Sequence, residues 1–343
     1  MSDRRRPGEP AVGPPPRPSE LPRPGELLRR HGLRPKRSWG QNFLVDESVF
    51  RTILTCLEAR PDDWVLEVGA GLGTLTARLT ACCARVVALE RDRDLAAVLR
   101  AELGGRDEIE IVEGNALTFD YDALARRAPS PLRVVGNLPY QIASPILFRL
   151  LAQRQRIGRI LIMLQREMAE RLAAPPGSRV YGGLSVMGQA LAEVRLCARV
   201  PAGAFLPPPR VESALVCLDP RPQPLGGSGH GGRGLASRVR GGSDLAGKDD
   251  GSDGSPDQGS GSRTAVAVDE AWLSRTVRTA FSGRRKRLRN ALAPLLPRPL
   301  LLAALAEAEI DADERPERID PAGFVRLSQA TQRLAQEAGR QGS

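Results

Sequence analysis

The sequence predicts an α/β fold: a largely parallel sheet with helices on both faces, followed by a small all-α C-terminal domain. Three observations predict it. Short apolar runs alternate with stretches in which apolar residues recur at helical spacing, the pattern of consecutive β-α units. A glycine-rich turn, Gly69-Ala70-Gly71-Leu72-Gly73, joins the first of these runs to a helix. Polar residues Glu90, Asn115 and Asn137 end or follow the next three runs, where open α/β sheets bind ligands.

The elements follow in order. Asp46 is placed to cap a helix running to about Glu58, with Val49, Phe50, Ile53, Leu54 and Leu57 on one face. Trp64 to Val68 reads as a short buried strand, and a helix starts at Thr74 after the glycine turn. Arg85 to Leu89 is the next strand, with Glu90 at its end, and Asp92 to about Leu103 is helical. Ile109 to Val112 forms a third strand ending near Asn115, and Leu132 to Val135, closed by Gly136, forms a fourth. Ser144-Pro145 suits the N-cap and first position of the following helix. Arg159 to Leu164 is a further strand. Glu193–Val200 and Ser213–Leu218 are close enough in sequence to pair as an antiparallel edge. Asp269 to about Gln336 carries helical periodicity and no strand signal.

Composition divides the chain further. Residues 1–34 are rich in Pro, Arg and Glu and are expected to form an unstructured tail. Residues 35–221 hold the α/β domain, 222–265 a Gly/Ser/Asp-rich linker or insertion, and 266–338 the small helical domain. A formal charge of +10 points to a polyanionic partner such as nucleic acid. The five cysteines have no paired C-x-x-C spacing, which suits reduced thiols in a cytoplasmic protein. Only two histidines, His31 and His230, are present, both in expected loops or tails, so neither a Ser-His-Asp triad nor a His-based metal site is expected. The N-terminus lacks the apolar core of a secretory signal, and no apolar stretch is long enough to cross a bilayer.

The chemistry concentrates at the strand ends. The glycine turn lets the backbone approach a ligand, but it departs from G-x-G-x-x-G because position 74 is Thr. That favours a cofactor without a pyrophosphate. Glu67 suits the charged amino-acid end of such a cofactor, and Glu90 stands where an acid accepts both ribose hydroxyls. Asn115 suits an adenine amine or a plain turn. In Asn137-Leu138-Pro139-Tyr140, an amide and a fixed carbonyl can accept hydrogen bonds from an exocyclic amine, and a ring can stack on a base. Phe205, heading the run Phe205-Leu206-Pro207-Pro208-Pro209, is placed either to stack on a flipped base or to stiffen a connector. The segment Lys36 to Leu44 suits both a cover over the cofactor and a contact with RNA phosphate, with Trp39 and Phe43 packed on the core. Arg284-Arg285-Lys286-Arg287 and Arg289 are expected on one helix whose Leu288, Ala291, Leu292 and Leu295 face inward, giving a phosphate-tracking surface.

These blocks occur in a characteristic order: Gly40-Gln41-Asn42-Phe43-Leu44, Glu67-Val68-Gly69-Ala70-Gly71, Glu90, Asn137-Leu138-Pro139-Tyr140, Tyr181-Gly182-Gly183-Leu184-Ser185-Val186, the Phe205 run and Arg284-Arg285-Lys286. So ordered, the chain resembles the bacterial small-subunit ribosomal RNA adenine dimethyltransferases over about Lys36–Pro220 and Asp269–Leu296. The resemblance implies a Rossmann-like S-adenosylmethionine-dependent methyltransferase sheet with a small all-α C-terminal domain. It implies S-adenosyl-L-methionine as cofactor, held by Asn42, Leu44, Gly69, Glu90, Asn115 and Asn137. Asn137, Leu138, Pro139 and Tyr140 would be catalytic, and Tyr140, Phe205, Arg284, Arg285 and Lys286 would meet RNA. The implied reaction is N6-dimethylation of two adjacent adenosines in the 3′-terminal hairpin of 16S rRNA, within the immature small ribosomal subunit, by a monomer in the cytoplasm. Departures from the family pattern are Asn115 for a frequent Asp, Gln141 for Asn or Tyr, and Trp39 for a smaller aromatic or leucine. Competing readings are a 23S rRNA adenine dimethyltransferase and a non-catalytic RNA-binding assembly factor on the same scaffold.

Overall fold

The computed structural model describes residues 21–139, 141–225, 268–283 and 286–341. The residues before 21, the stretch 226–267, Tyr140, Arg284 and Arg285 lie outside the described residues. In chain order the elements are α1 (Pro24–Arg30), β1 (Phe43–Leu44), α2 (Glu47–Leu57), β2 (Trp64–Val68), α3 (Thr74–Leu79), β3 (Arg85–Glu90), α4 (Arg93–Leu103), β4 (Ile109–Glu113), α5 (Tyr121–Arg127), β5 (Leu132–Asn137), α6 (Ala143–Leu151), β6 (Ile157–Gln165), α7 (Arg166–Leu172), α8 (Gly183–Leu191), β7 (Ala192–Val200), β8 (Phe205–Leu206), β9 (Ser213–Pro220), α9 (Glu270–Ala280), α10 (Leu288–Ala291), α11 (Arg298–Glu307) and α12 (Pro321–Gln341).

Seven strands form one sheet in the order β4-β3-β2-β5-β6-β9-β7. The first five are parallel, and β9 and β7 join antiparallel. Alternate residues of each strand feed opposite faces, because successive side chains of a strand point to opposite sides. Leu66, Val87, Val134, Ile160 and Ile162 pack with α5 and α6. Val65, Val86, Val135, Leu161 and Met163 pack instead with Val49, Phe50, Ile53 and Leu57 of α2. Asp46 caps α2 as expected, accepting from the N–H groups of Ser48 and Val49, an arrangement worth about 1 kcal/mol.

Helices α8 to α12 gather round a second apolar cluster containing Leu273, Val277, Leu288, Leu301, Leu305 and Phe324. Tyr181, Val186 and Ala190, from the segment leading into α8 and α8 itself, belong to this cluster. The Tyr181 hydroxyl donates to the Ile319 carbonyl at 2.9 Å, so the Tyr181–Val186 block anchors the helical part onto the sheet. Among the described residues no helix is long and apolar enough to cross a membrane.

Three expectations are corrected. The unstructured tail expected to residue 34 contains α1, because Leu27 and Leu28 dock on Leu72, Leu95 and Val98. Two adjacent leucines held by tertiary packing carry little weight in an average over a Pro/Arg-rich stretch. Ser144 is not the N-cap of α6, which begins at Ala143 with Ile142 as its cap. Pro145 therefore occupies the third helical position, where the N–H it lacks would have had no intrahelical partner. The basic cluster is not on one helix: Lys286 and Arg287 precede the four-residue α10, whose start is fixed by Leu288 and Arg289 N–H groups donating to the carbonyls of Glu314 and Ala312.

Candidate active site

Where β2, β3, β4 and β5 end, the chain leaves a cavity of about 370 Å³ lined by residues at or just beyond each strand end. The glycine loop forms its floor. Gly71 has φ +59°, and a Cβ there would lie 3.4 Å from the Phe43 ring; its N–H donates to Glu90 Oε2 at 2.8 Å. The other carboxylate oxygen of Glu90 accepts from the Asp92 N–H at 2.8 Å. Glu90 is thus oriented by two backbone donors while each oxygen keeps a lone pair for a ligand. Burial raises its pKa, against the pull of those backbone hydrogen bonds.

Asn137 ends β5 at the opposite wall. Its Nδ2 donates to the Asn42 carbonyl at 3.2 Å, which fixes the amide orientation and leaves Oδ1 as the acceptor. Leu138 is buried, and the Pro139 carbonyl accepts from the Ile142 N–H at 3.0 Å, so the backbone turns directly from strand into α6. Asn115 lines the cavity, and its Oδ1 accepts from the Leu117 N–H at 3.0 Å, a local turn that holds the side chain at the end of β4.

Of the residues expected to contact a cofactor, Asn42, Gly69, Glu90, Asn115 and Asn137 line this cavity together. Leu44 does not: it is buried and lines a smaller space of about 60 Å³ behind the glycine loop. Glu67 lines that smaller space as well. It accepts from the Thr76 hydroxyl at 2.6 Å, and burial pushes its pKa up to about 8 despite that bond. Phe205 is buried, pairs with Leu44 between β1 and β8, and presents to the main cavity. Tyr140, Arg284 and Arg285 are outside the described residues. Lys286 lies on the helical part and does not line the cavity.

The segment from Ser38 to Phe43 forms one wall of the cavity. Phe43 is buried as expected, but Trp39 is 44% exposed rather than packed in the core. Its ring is held by cations instead, with Lys36 Nζ 5.3 Å and the Arg91 guanidinium 5.0 Å from the centroid. Lys36 Nζ also donates to Asp92 Oδ1 and Asp94 Oδ2, both at 2.7 Å. Gln41 Nε2 donates to Asp92 Oδ2 at 2.6 Å. Burial opposes ionisation of Asp92, but these bonds outweigh it and hold the carboxyl below the usual range. Arg91, Gln141, Ile142 and Ile146 also line the cavity and had no part in the sequence-based site. For Arg91 the available signal was adjacency to Glu90; for the two isoleucines it was the first turn of the helix following Asn137.

The cavity therefore offers an acid at a strand end, a close backbone floor and an unshared amide oxygen, a donor and acceptor set that fits an adenosine-bearing cofactor beside an amine. The family model described as Ribosomal RNA adenine dimethylase matches residues 32–228. Ribosomal RNA small subunit methyltransferase A of Anaeromyxobacter dehalogenans (strain 2CP-C) is 44% identical over 319 residues, 90% of this chain and 98% of that protein. The protein of the same name from Myxococcus xanthus is 38% identical over 310 residues, 90% of this chain and 94% of that one. Among solved structures, a dimethyladenosine transferase from Plasmodium falciparum superposes with TM-score 0.64 at 20% identity, covering 85% of this chain and 98% of that one, a likeness of fold. The 23S rRNA methyltransferase ErmE superposes with TM-score 0.58 at 27% identity, covering 85% of this chain and all of the other. On the match over more than half its length and the identity to relatives covered almost end to end, the chain belongs to the ribosomal RNA adenine dimethylase family.

Proposed function

We propose that the protein transfers methyl groups from S-adenosyl-L-methionine to N6 of two adjacent adenosines in the 3′-terminal hairpin of 16S rRNA. We place the reaction in the cytoplasm, on the immature small ribosomal subunit, as a step coupled to subunit biogenesis and carried out by a monomer. The observation that carries this reading is the Asn137 amide, whose nitrogen is committed to the Asn42 carbonyl so that Oδ1 faces the role of acceptor. The sequence relatives support the choice of the small-subunit RNA.

In this reading Glu90 accepts the ribose hydroxyls, Asn115 meets the cofactor's adenine, and Asn42, Leu44 and Gly69 enclose the rest, Leu44 by backing the loop rather than lining the cavity. When bound, S-adenosylmethionine supplies an electrophilic methyl on a sulfonium. Adenine N6 is a poor nucleophile, because its lone pair is delocalised into the ring. Asn137 Oδ1 and the Leu138 carbonyl accept hydrogen bonds from the amine and favour a pyramidal nitrogen with its lone pair directed at the methyl. Pro139 fixes the backbone that carries the Leu138 carbonyl. Tyr140 stacks on the flipped base, worth roughly 1–3 kcal/mol, and Phe205 closes the wall. The sulfonium–methyl bond would break as the N6–methyl bond forms, leaving the neutral thioether, and N6 would then give its proton to solvent, so no strong base is required. The chain's contribution is orientation and electrostatic preorganisation. Lys286, away from the cavity, meets RNA phosphate, and Arg284 and Arg285 take the same role.

The test is tritiated methyl transfer to immature small subunits and, in parallel, to protein-free 23S rRNA, with mapping of the modified bases. The expected result is two dimethylated adenosines adjacent in the 3′-terminal hairpin. Label in 23S rRNA, or tight subunit binding without label, overturns the assignment in favour of a large-subunit methyltransferase or an assembly factor respectively.

A further inference from the structure

The wall formed by residues 36–42 is anchored at both ends. Before it, α1 docks through Leu27 and Leu28, with Arg30 and His31 on Glu102. After it, β1 pairs with β8. Between those anchors its backbone-to-backbone bonds are short-range, from Trp39 and Gln41 to the Lys36 carbonyl. At the β3 side the middle is tied to the rest of the molecule by Asp94, which shares Lys36 Nζ, by Arg91 over the Trp39 ring, and above all by Asp92, the carboxylate that holds two of its residues. Asp92 Oδ1 accepts from Lys36 Nζ and Oδ2 from Gln41 Nε2, at 2.7 and 2.6 Å. The Gln41 carbonyl oxygen accepts in turn from the Lys36 N–H at 2.8 Å, so the amide bridges the acid and the strap's own backbone. Asp92 is nearly fully buried, which makes these charge-assisted bonds stronger than exposed ones.

The same residue reaches the site from its backbone side, since the Asp92 N–H donates to Glu90 Oε1. One residue therefore orients the acid expected on the ribose and holds the strap that walls the cavity. At the strap's other end the Asn42 carbonyl fixes the amide of Asn137. A path of hydrogen bonds and one short backbone segment thus runs from Asp92 to the acceptor of the reacting amine.

We propose that Asp92 is a positioning residue: by clasping Lys36 and Gln41 it holds the 36–42 strap shut over the cofactor cavity, setting how long the cofactor stays and where Asn137 stands. The proposal rests on the S-adenosylmethionine reading above and adds to it a residue that touches neither cofactor nor base. Loss of the clasp frees the middle of the strap while both anchored ends remain.

The experiment uses the full chain and three variants, Asp92→Asn, Lys36→Met and the double substitution. Asp92→Asn keeps an oxygen for the helix cap on the Asp94 N–H but turns one clasp acceptor into a donor. Two readouts are taken: the dissociation rate of tritiated S-adenosylmethionine, and amide hydrogen exchange of residues 38–42 in the cofactor-free protein. Each single variant is expected to raise both by about 10-fold or more, the scale of losing a hydrogen bond to a charged group. The double variant is expected to fall well short of the product of the two singles, because Asp92 and Lys36 share one bond. Wild-type release and exchange in both singles, or a double variant whose effects multiply, overturns the proposal. A contact of purely structural value would lower the melting temperature and leave exchange at 38–42 in step with the rest of the chain, which also overturns it. If Asp92→Asn does not fold, Lys36→Met decides, since Lys36 is partly exposed and outside the core. If the wild type holds no S-adenosylmethionine, the cofactor reading fails and the gate with it, and unchanged strap exchange then separately rejects the clasp.

Discussion

Two side chains in this protein have their chemistry set by where the fold places them. Asn137 carries an unshared amide oxygen because its nitrogen is taken by the Asn42 carbonyl. Asn137→Ala is therefore expected to keep the fold and to bind cofactor within a few-fold of the wild type, while kcat falls about 10²–10³-fold, as for loss of one preorganised polar group. Single-turnover methyl transfer checks it, and near-normal turnover would remove Asn137 from the mechanism. Glu67 is the second case. Buried with only the Thr76 hydroxyl as a partner, it has its pKa pushed up to about 8, well above an ordinary glutamate's. The folded state then binds the proton more tightly than the unfolded chain does. Glu67 stabilises the fold fully below the unfolded pKa of about 4.3, and this contribution is lost as pH rises through about 8. Glu67→Gln should flatten the decline in unfolding free energy of the cofactor-free protein between those limits, by an amount on the order of a few kcal/mol. Denaturant titrations across that range measure it; an unchanged slope would show that Glu67 ionises freely.

At the scale of elements, the sheet was legible because its strands alternate so regularly. Leu66 and Val68 serve one face and Val65 the other, and the polar strand-end residues stood out against apolar runs. The antiparallel edge was legible as a pair, but β9 lies between β6 and β7, an order that spacing in sequence does not encode. The site was legible in Asn42, Gly69, Glu90, Asn115 and Asn137, which the parallel topology brings to one rim. Asp92 was read only as a helix start, because its bonds to Lys36 and Gln41 cross more than fifty residues of chain. Helix α1 escaped and the start of α10 was set too early for a related reason: tertiary contacts, not local periodicity, fix them. Gly136 shows how tightly strand packing constrains the site. A Cβ there would lie 2.7 Å from the Val68 carbonyl oxygen and 3.2 Å from both the Val68 Cβ and a Leu138 methyl. Backbone cannot yield as a flexible side chain can, so Gly136→Ala must push β5 from β2 immediately before Asn137. The expected cost is about 1–3 kcal/mol of stability, together with lost transfer beyond what lowered stability explains. A variant of wild-type melting temperature and activity would show that the strand end relaxes freely.

At the scale of the whole molecule, the formal charge of +10 overstates what RNA can reach. Many arginines are already paired: Arg133 on Asp63 and Arg159 on Asp219 inside the fold, and Arg127 on Glu110 at the surface. In the segment expected to track phosphates, Arg287 and Arg289 share Asp313, at 2.8 and 2.9 Å. Lys286, by contrast, is exposed and forms no ion pair among the described residues, as is true of Arg91, Arg179 and Arg210. Among the described residues, cations already held in ion pairs and exposed cations without one are therefore both numerous, and the second set is the one free to meet phosphate. Binding to the small subunit should weaken steeply as salt rises, with a log–log slope set by the free set alone. Lys286→Ala should reduce that slope by about one and weaken binding without changing which bases are methylated, since a phosphate contact carries no sequence information. Arg287→Ala should change it less, because Asp313 already offsets that charge in the free protein. Subunit-binding isotherms at several salt concentrations separate the two variants. Equal slopes for both would mean that Asp313 releases its arginines on binding, and that the charge reaching the RNA is closer to the formal value than the ion pairs imply.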